Sequence, residues 1–203
     1  MATLVQVTGW EHGLSAITLN GGGLAVVVTG TPTVQATTKR SGGYALQINP
    51  SAALEHIYVK SLGGGIQVAV GSIYVNFHEW NNVDNQIVFN AVNGANPCTI
   101  KIRAATHKCY AAVPVTGDGN EADLALSLDA WYRIDYRFDV SANPWKIDFQ
   151  VTPTGGSPTA ATQSTFALGA SQVTTPGVGI LDSNDTCEFY LDDWVISQTS
   201  EDY

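Results

Sequence analysis

Two neighbouring segments in the middle of the chain alternate between apolar and polar residues, and this alternation constrains the fold most. Apolar side chains occupy every second position from Ala130 to Val140 and again from Trp145 to Val151, with a short turn at residues 141–144 between them. A period of two residues is typical of β-strands with one buried and one exposed face. The segments are therefore predicted to pair as an antiparallel hairpin. The pairs expected across it are Val140 with Trp145, Arg137 with Asp148 and Asp139 with Lys146.

Length and composition favour one all-β domain. The chain has 203 residues, of which 44% are hydrophobic and only 13% charged. Sandwiches of roughly 200 to 250 residues commonly form a single domain, and no linker or repeat of fixed period divides the sequence. We therefore predict a single domain over residues 1–203, built as a β-sandwich.

The charge argues against two classes of partner. The formal net charge is −9, with nine Lys and Arg residues in total. Nucleic acid binding through phosphates requires clustered basic side chains, and an acidic surface repels anionic membranes. The first residues lack the basic and apolar regions of a secretory signal, and no apolar run approaches the ~20 residues of a spanning helix. We expect no nucleic acid and no membrane as partners, and folding in the cytosol.

Other segments have strand patterns as well. They are residues 26–28, 44–48, 56–59, 68–80, 86–91, 99–103 and 187–197. In the last of these the alternation is blurred around Asp192-Asp193, which indicates a β-bulge or an end of pairing there.

The segment from Val68 to Ala91 is predicted to be a second hairpin, with its turn at residues 81–85. Its apolar face is expected to join the first hairpin in the core, through Ile73, Val75, Phe77, Tyr136, Phe138, Ile147 and Phe149. Its polar face is the candidate contact with a ligand or another subunit, through Tyr74, Asn76, His78, Trp80, Gln86 and Asn90. Aromatic rings and amides stack sugar rings and bond their hydroxyls. They are also common at protein interfaces, and a loop or solvent can equally cover such a face.

No metal or cofactor is predicted. The chain has an odd number of cysteines, and they lack C-x-x-C spacing. All three are therefore expected to be small buried or half-buried side chains: Cys98, Cys109 and Cys187. The loop at residues 182–185 carries oxygen ligands suited to Ca²⁺, with Asp182 and Asp185 as weak candidates. It lacks the Gly and Glu of an EF-hand loop, and Asp and Asn are ordinary turn formers.

Four motifs spread over nearly the whole chain resemble a known family. They are Gly9-Trp10-Glu11-His12-Gly13, Arg40-Ser41-Gly42-Gly43-Tyr44-Ala45-Leu46, Trp131-Tyr132-Arg133-Ile134 and Phe189-Tyr190-Leu191-Asp192-Asp193-Trp194-Val195-Ile196-Ser197. Their order and spacing resemble the concanavalin A-like, or laminin G-like, jelly-roll proteins of tailed-phage virions and their environmental relatives. The resemblance implies two antiparallel sheets, with the last strand beside the first. It also implies a virion surface protein or a carbohydrate-binding module, by analogy of fold.

The sequence does not predict an enzyme. Glycosidases of this architecture carry a Glu-x-Asp-x-x-Glu strand, which places the nucleophile and the acid on one face, and nothing here matches it. The nearest acidic groupings are Asp135 with Asp139, and Glu188 with Asp192. Arg133 and Arg137 flank the first pair and are expected to keep it ionised, which makes it unsuitable as a general acid.

Two hypotheses of function follow. The first is a non-enzymatic virion structural protein on a capsid or tail surface, made in the host cytoplasm. It would act through contacts with other virion subunits, as a homo-oligomer. The alternative is a carbohydrate-binding, lectin-like module that holds a glycan on the polar stripe.

Overall fold

The computed structural model describes residues 5–6, 10, 26–49, 54–59, 65–80, 82–92, 97–181 and 187–197. Within these residues the chain forms fifteen β-strands. They are β1 (Val5–Gln6), β2 (Val26–Thr29), β3 (Thr33–Gln35), β4 (Ala45–Ile48), β5 (Glu55–Val59), β6 (Val68–Phe77), β7 (Asn85–Val92), β8 (Cys98–Ile102), β9 (Lys108–Val113), β10 (Gly117–Ala125), β11 (Trp131–Asp139), β12 (Trp145–Pro153), β13 (Thr162–Phe166), β14 (Val173–Ile180) and β15 (Phe189–Ser197).

The strands form two antiparallel sheets with the apolar core between them. The first sheet has eight strands, in the order β13-β12-β11-β6-β15-β4-β3, with β1 paired to the later part of β15. The second has seven, in the order β10-β9-β8-β7-β14-β5-β2. This is the predicted all-β jelly-roll sandwich, and β15 lies beside β1 as the resemblance implied. No helix in the described part of the chain is long and apolar enough to cross a membrane.

The hairpin predicted from the alternating segments is present as β11 and β12. Arg137 lies opposite Asp148 and Asp139 opposite Lys146, as predicted. Val140 and Trp145 lie just beyond the registered pairs, at the turn, and both are buried. The register follows from the pattern, because a shift of one residue would turn every apolar side chain of a strand away from the core.

The predicted core is confirmed. Its seven expected members belong to one buried apolar cluster: Ile73, Val75, Phe77, Tyr136, Phe138, Ile147 and Phe149. The three cysteines are also buried. Trp10, the described residue of the first motif, is buried in the same cluster.

The predicted hairpin from Val68 to Ala91 is wrong. β6 lies in the first sheet, between β11 and β15, whereas β7 lies in the second sheet, between β8 and β14. The chain therefore crosses from one sheet to the other between Phe77 and Asn85. Alternation shows which residues of a strand face the core, but it does not identify the strand that pairs with it.

The predicted β-bulge in the last strand is present at Asp193. Asp192 pairs with Tyr74 and Val195 with Ser72, so β15 advances three residues where β6 advances two. Asp193 has a φ of 46°, a left-handed conformation that a short polar side chain tolerates better than most. The extra residue reverses the alternation, so that Trp194 faces the core.

Gly71 lets three strands meet closely at this bulge. Its neighbour on β11 is Tyr136, whose hydroxyl oxygen accepts a hydrogen bond of 3.0 Å from the Trp194 indole nitrogen. A Cβ atom at Gly71 would overlap the Tyr136 ring and lie 2.5 Å from the carbonyl oxygen of Val195. A residue without a side chain is therefore required at this position.

We predict that Gly71→Ala lowers the free energy of unfolding by about 1–3 kcal/mol or more, because the added methyl group must displace the Tyr136 ring or the β15 backbone. Urea denaturation followed by tryptophan fluorescence measures the change. Gly169→Ala is the matched control, since a Cβ atom there meets no atom within 4 Å. Equal stability of the two variants would contradict this packing.

Candidate functional site

Asn76 lies on the outer face of the first sheet, in a row of side chains that crosses five strands. The row contains Trp131 on β11, Asn76 on β6, Tyr190 on β15, Gln47 on β4 and Thr33 on β3, each paired directly with the next. We call this set the Asn76 row. Cβ atoms of directly paired residues lie roughly 4.5–5.5 Å apart. The row therefore brings two aromatic rings and two amides side by side.

The side-chain oxygen of Asn76 has no hydrogen-bond partner. Asn76 is only 3% exposed, and its Oδ1 atom is buried and unpaired. Leaving a buried acceptor unsatisfied costs about 1–3 kcal/mol. Because this oxygen is inaccessible to solvent, a ligand hydroxyl would reach it, and recover that cost, only after a side chain that covers it moves aside.

A fixed carboxylate supports one side of the row. Glu188, just before β15, accepts hydrogen bonds from Gln47 Nε2 at 2.7 Å, from the Tyr190 hydroxyl at 2.5 Å and from Asn49 Nδ2 at 3.1 Å. Gln47 Oε1 in turn accepts one from Thr33 Oγ1 at 3.0 Å. These bonds hold the polar side chains of β3, β4 and β15 in one arrangement.

Tyr190 remains protonated in this network. Burial raises the pKa of Tyr190 to about 12, and the hydrogen bond to the Glu188 carboxylate adds to the increase. The phenol is therefore a hydrogen-bond donor at neutral pH, with its bond directed to Glu188.

An exposed histidine and carboxylate pair lies beside Tyr190. His78 Nδ1 is 2.7 Å from Asp129 Oδ1, and the His78 ring centroid is 6.3 Å from that of Tyr190. The hydrogen bond to Asp129 is the main cause that raises the pKa of His78, and the charges of Asp129, Glu188 and Glu79 act in the same direction.

The segment at residues 36–43 covers the middle of the outer face. Asp192, which is fully buried, accepts backbone hydrogen bonds from Arg40 at 3.1 Å and Ser41 at 3.2 Å. The Arg40 guanidinium pairs with Asp193 at 2.5 Å and lies 3.5 Å from the centroid of the Tyr74 ring. One face of Tyr74 is thus occupied by a cation–π contact.

The six residues of the predicted polar stripe do not lie together. Tyr74, Asn76 and His78 follow the outer side of β6, as expected. Trp80 instead stacks between Phe77, at 4.5 Å, and His107, at 4.4 Å, at the edge of the core. Gln86 and Asn90 are on β7 in the other sheet. The stripe was predicted from a hairpin that does not form, so its second half belongs to another surface.

Sequence reasoning missed most of the Asn76 row. Trp131 was detectable, because it is the aromatic residue among the polar positions of an alternating strand. Tyr190 follows the same rule between Phe189 and Leu191 on β15. Gln47 and Glu188 had no comparable signal, since their proximity depends on the pairing of β4 with β15.

Ion pairs continue along β11 from the Asn76 row. Arg133 pairs with Asp135 at 2.6 Å and Arg137 with Asp139 at 2.8 Å, both within the strand. Arg137 also reaches Asp148 across the strands at 3.6 Å. The outer face of this hairpin is therefore charged; the predicted cross-strand pair of Arg137 with Asp148 is present, and two further ion pairs form within β11.

Asp135 differs from the sequence expectation. Burial raises the pKa of Asp135, and the opposing effect of Arg133 is smaller. Burial acts on Asp139 in the same direction, but hydrogen bonds from Ser141 and the charges of Arg137 and Lys146 outweigh it and lower the pKa of Asp139. The pKa of Asp139 is thus lowered, the direction expected beside arginine, whereas the pKa of Asp135 is raised because Asp135 is more deeply buried.

A shallow pocket of about 190 Å³ lies on the same face, further along β11. Its lining includes Val70, Asp135, Arg137, Asp148, Gln150 and Ala161. Gln150 Nε2 donates to the Thr159 carbonyl at 2.5 Å, and Asp148 accepts from Gln163 Nε2 at 2.7 Å. Two of its polar side chains are therefore held in place by neighbours.

The weak calcium candidates Asp182 and Asp185 lie outside the described residues. Within the described part of the chain, no three His, Cys, Asp or Glu side chains are grouped as metal ligands would be.

No protein-family model matches this chain. No curated protein matches it either.

Solved structures with the same fold are numerous. A cellulose induced protein matches 95% of this chain and 96% of its own length, with a TM-score of 0.64 and 12% identity. Domain 4 of an extracellular arabinanase from Geobacillus stearothermophilus, solved in complex with arabinotriose, matches 97% and 92%, with a TM-score of 0.62 and 12% identity. A carbohydrate esterase from the Shiga toxin-encoding bacteriophage phi24B matches 98% and 100%, with a TM-score of 0.60 and 11% identity.

The chain also matches the binding domain of botulinum neurotoxin serotype G, but it spans only 44% of that domain's length. At these low identities the likeness concerns the jelly-roll fold alone.

We predict that the pKa of His78, measured by NMR titration of its ring, lies above 6.5, and that Asp129→Asn lowers it. Because the pKa is higher in the folded state, the pair stabilises the fold below pH 6.5. That contribution is lost as the pH rises through the folded-state pKa. A His78 titration unchanged by Asp129→Asn would show that the pair does not form in solution.

Proposed function

We propose that this chain is a non-enzymatic carbohydrate-binding domain that holds a glycan against the Asn76 row. The observation that carries the proposal is the buried, unpaired Oδ1 of Asn76 between Trp131 and Tyr190. A sugar can contact both the aromatic rings and the unpaired oxygen. Its C–H groups pack on an aromatic ring, and its hydroxyls donate hydrogen bonds.

The residues around Asn76 have complementary roles in this proposal. Trp131, half-buried at one end of the row, supplies the ring on which a sugar stacks. Glu188 and Gln47 supply further acceptors and donors, already oriented by their mutual hydrogen bond. Preorganised polar groups lose less side-chain entropy on binding, which favours affinity.

The fold comparison supports this proposal over nearly the whole chain. The arabinanase domain that shares the fold was solved with arabinotriose. At 12% identity that ligand is not transferred residue by residue. The proposal rests on the Asn76 row, and the comparison makes carbohydrate the first ligand class to test.

We predict that Trp131→Ala and Asn76→Ala each weaken glycan binding about tenfold or more, equivalent to about 1.4 kcal/mol, because each removes a direct contact. A glycan array identifies the ligand, and calorimetry measures the affinity. Tyr58→Ala is the control, as a half-buried aromatic on the second sheet. If Tyr58→Ala abolished binding and Trp131→Ala left it intact, the site would lie elsewhere.

We further predict that binding is not followed by hydrolysis. A glycosidase needs one carboxylic acid and one free carboxylate in a cleft. On this face Asp135 is paired with Arg133, Glu188 accepts three hydrogen bonds, and Asp192 is held by backbone amides. Incubation with the bound polysaccharide should release no new reducing ends. If the protein releases reducing ends and the Glu188→Gln variant releases none, the protein is an enzyme instead.

A virion structural protein is the second candidate, supported by the phage esterase that shares the fold along its full length. In this case the Asn76 row contacts neighbouring virion subunits or a second copy, and the protein assembles in the host cytoplasm. Trp131→Ala would then reduce the mass of the assembly measured by light scattering, while no glycan binds. A monomer that binds a glycan supports the first candidate.

A further inference from the structure

Resting on the proposed function, we infer that the site takes an extended glycan chain rather than a single terminal sugar. The chain runs along β11 from Trp131 to the pocket beside Arg137. The ligand is then an oligomer of several sugar units, and the pocket is its second contact region.

The side chains on the outer side of β11 lie in one line, here called the track, between Trp131 and the pocket. Four side chains at alternate positions of β11 share the outer face: Trp131, Arg133, Asp135 and Arg137. Arg137 lies six positions after Trp131, which corresponds to about 20 Å along a strand. The pocket lined by Asp135 and Arg137 therefore lies several sugar lengths from the Asn76 row, on the same track.

The track of outer side chains on β11 has a boundary on the side of β15. The segment at residues 36–43 is held over β15 by Asp192, and Arg40 extends from it onto the Tyr74 ring. Beside Arg133, which pairs with Tyr74, this segment therefore bounds the track on the β15 side, one pair beyond the Asn76 row. Along β11 the face continues through Arg133 and Asp135, each partly exposed.

The chemistry of the pocket also suits a sugar unit. The surface of the pocket is almost entirely apolar, with Val70 and Ala161 in its lining, while Asp135, Asp148 and Gln150 border it. Gln150 and Asp148 are fixed by Thr159 and Gln163, and Arg137 bridges Asp148 and Asp139. An apolar pocket bordered by fixed polar side chains can take the C–H face of a sugar and leave its hydroxyls at the border.

The test is the dependence of affinity on chain length. Neutral arabino-, xylo- and gluco-oligosaccharides of one to six units are the probes, measured by calorimetry with the full chain. In the series that binds, affinity should rise about tenfold or more from the shortest binder to the longest, because the longer chains reach the pocket. Equal affinity at every length would overturn the inference while leaving the proposed function intact.

A substitution that fills the pocket gives an independent readout. Ala161→Trp, at an exposed position, should lower the affinity for the longest oligomers to that of the short ones and leave short-chain binding unchanged. Ala125→Trp, exposed on β10 of the second sheet, is the matched control. Retention of long-chain affinity in Ala161→Trp would also overturn the inference. If none of the three series binds, both the proposed function and this inference fail.

Discussion

The hydroxyl of Tyr136 and the missing side chain of Gly71 join the three central strands of the first sheet. The Tyr136 ring from β11 lies against the backbone of β6 because Gly71 leaves room for it. The same hydroxyl accepts the Trp194 indole N–H from β15. A buried Tyr or Trp requires such a partner for its polar atom. β6, which carries Asn76, is therefore held from both sides by one buried contact.

The arrangement of side chains on the outer face of the first sheet depends on the bulge in β15. The bulge at Asp193 turns Trp194 inward and leaves Asp192 on the outer side, opposite Tyr74. There Asp192 binds the backbone of residues 40–41, and this anchors Arg40 over the sheet. Two of the motifs that resembled a family, at residues 40–46 and 189–197, thus meet in the structure. One irregular residue produces both a core contact and the boundary of the candidate site.

The parts of this fold that were predictable are those set by local pattern. The pairing of Arg137 with Asp148 followed from an alternating hairpin, and the bulge followed from a break in alternation. The neighbours of β6 could not be inferred, because they are strands distant in sequence, and the false hairpin misplaced Gln86 and Asn90. The contact between Asp192 and Arg40 joins residues 152 positions apart, and no period in the sequence reports it. Trp131 was visible in the pattern, but its proximity to Asn76 required the sheet order.

The position of β15 between β6 and β4 affects how the protein can fold during synthesis. β15 is the last described strand in chain order, yet it lies inside the first sheet. Until residues 189–197 leave the ribosome, β13-β12-β11-β6 and β4-β3 are separate pieces with open edges, and Trp194 is absent from the core. Open strand edges pair readily with other chains. A nascent chain stalled before residue 189 would therefore be prone to aggregation, and protection by chaperones would matter most during that interval.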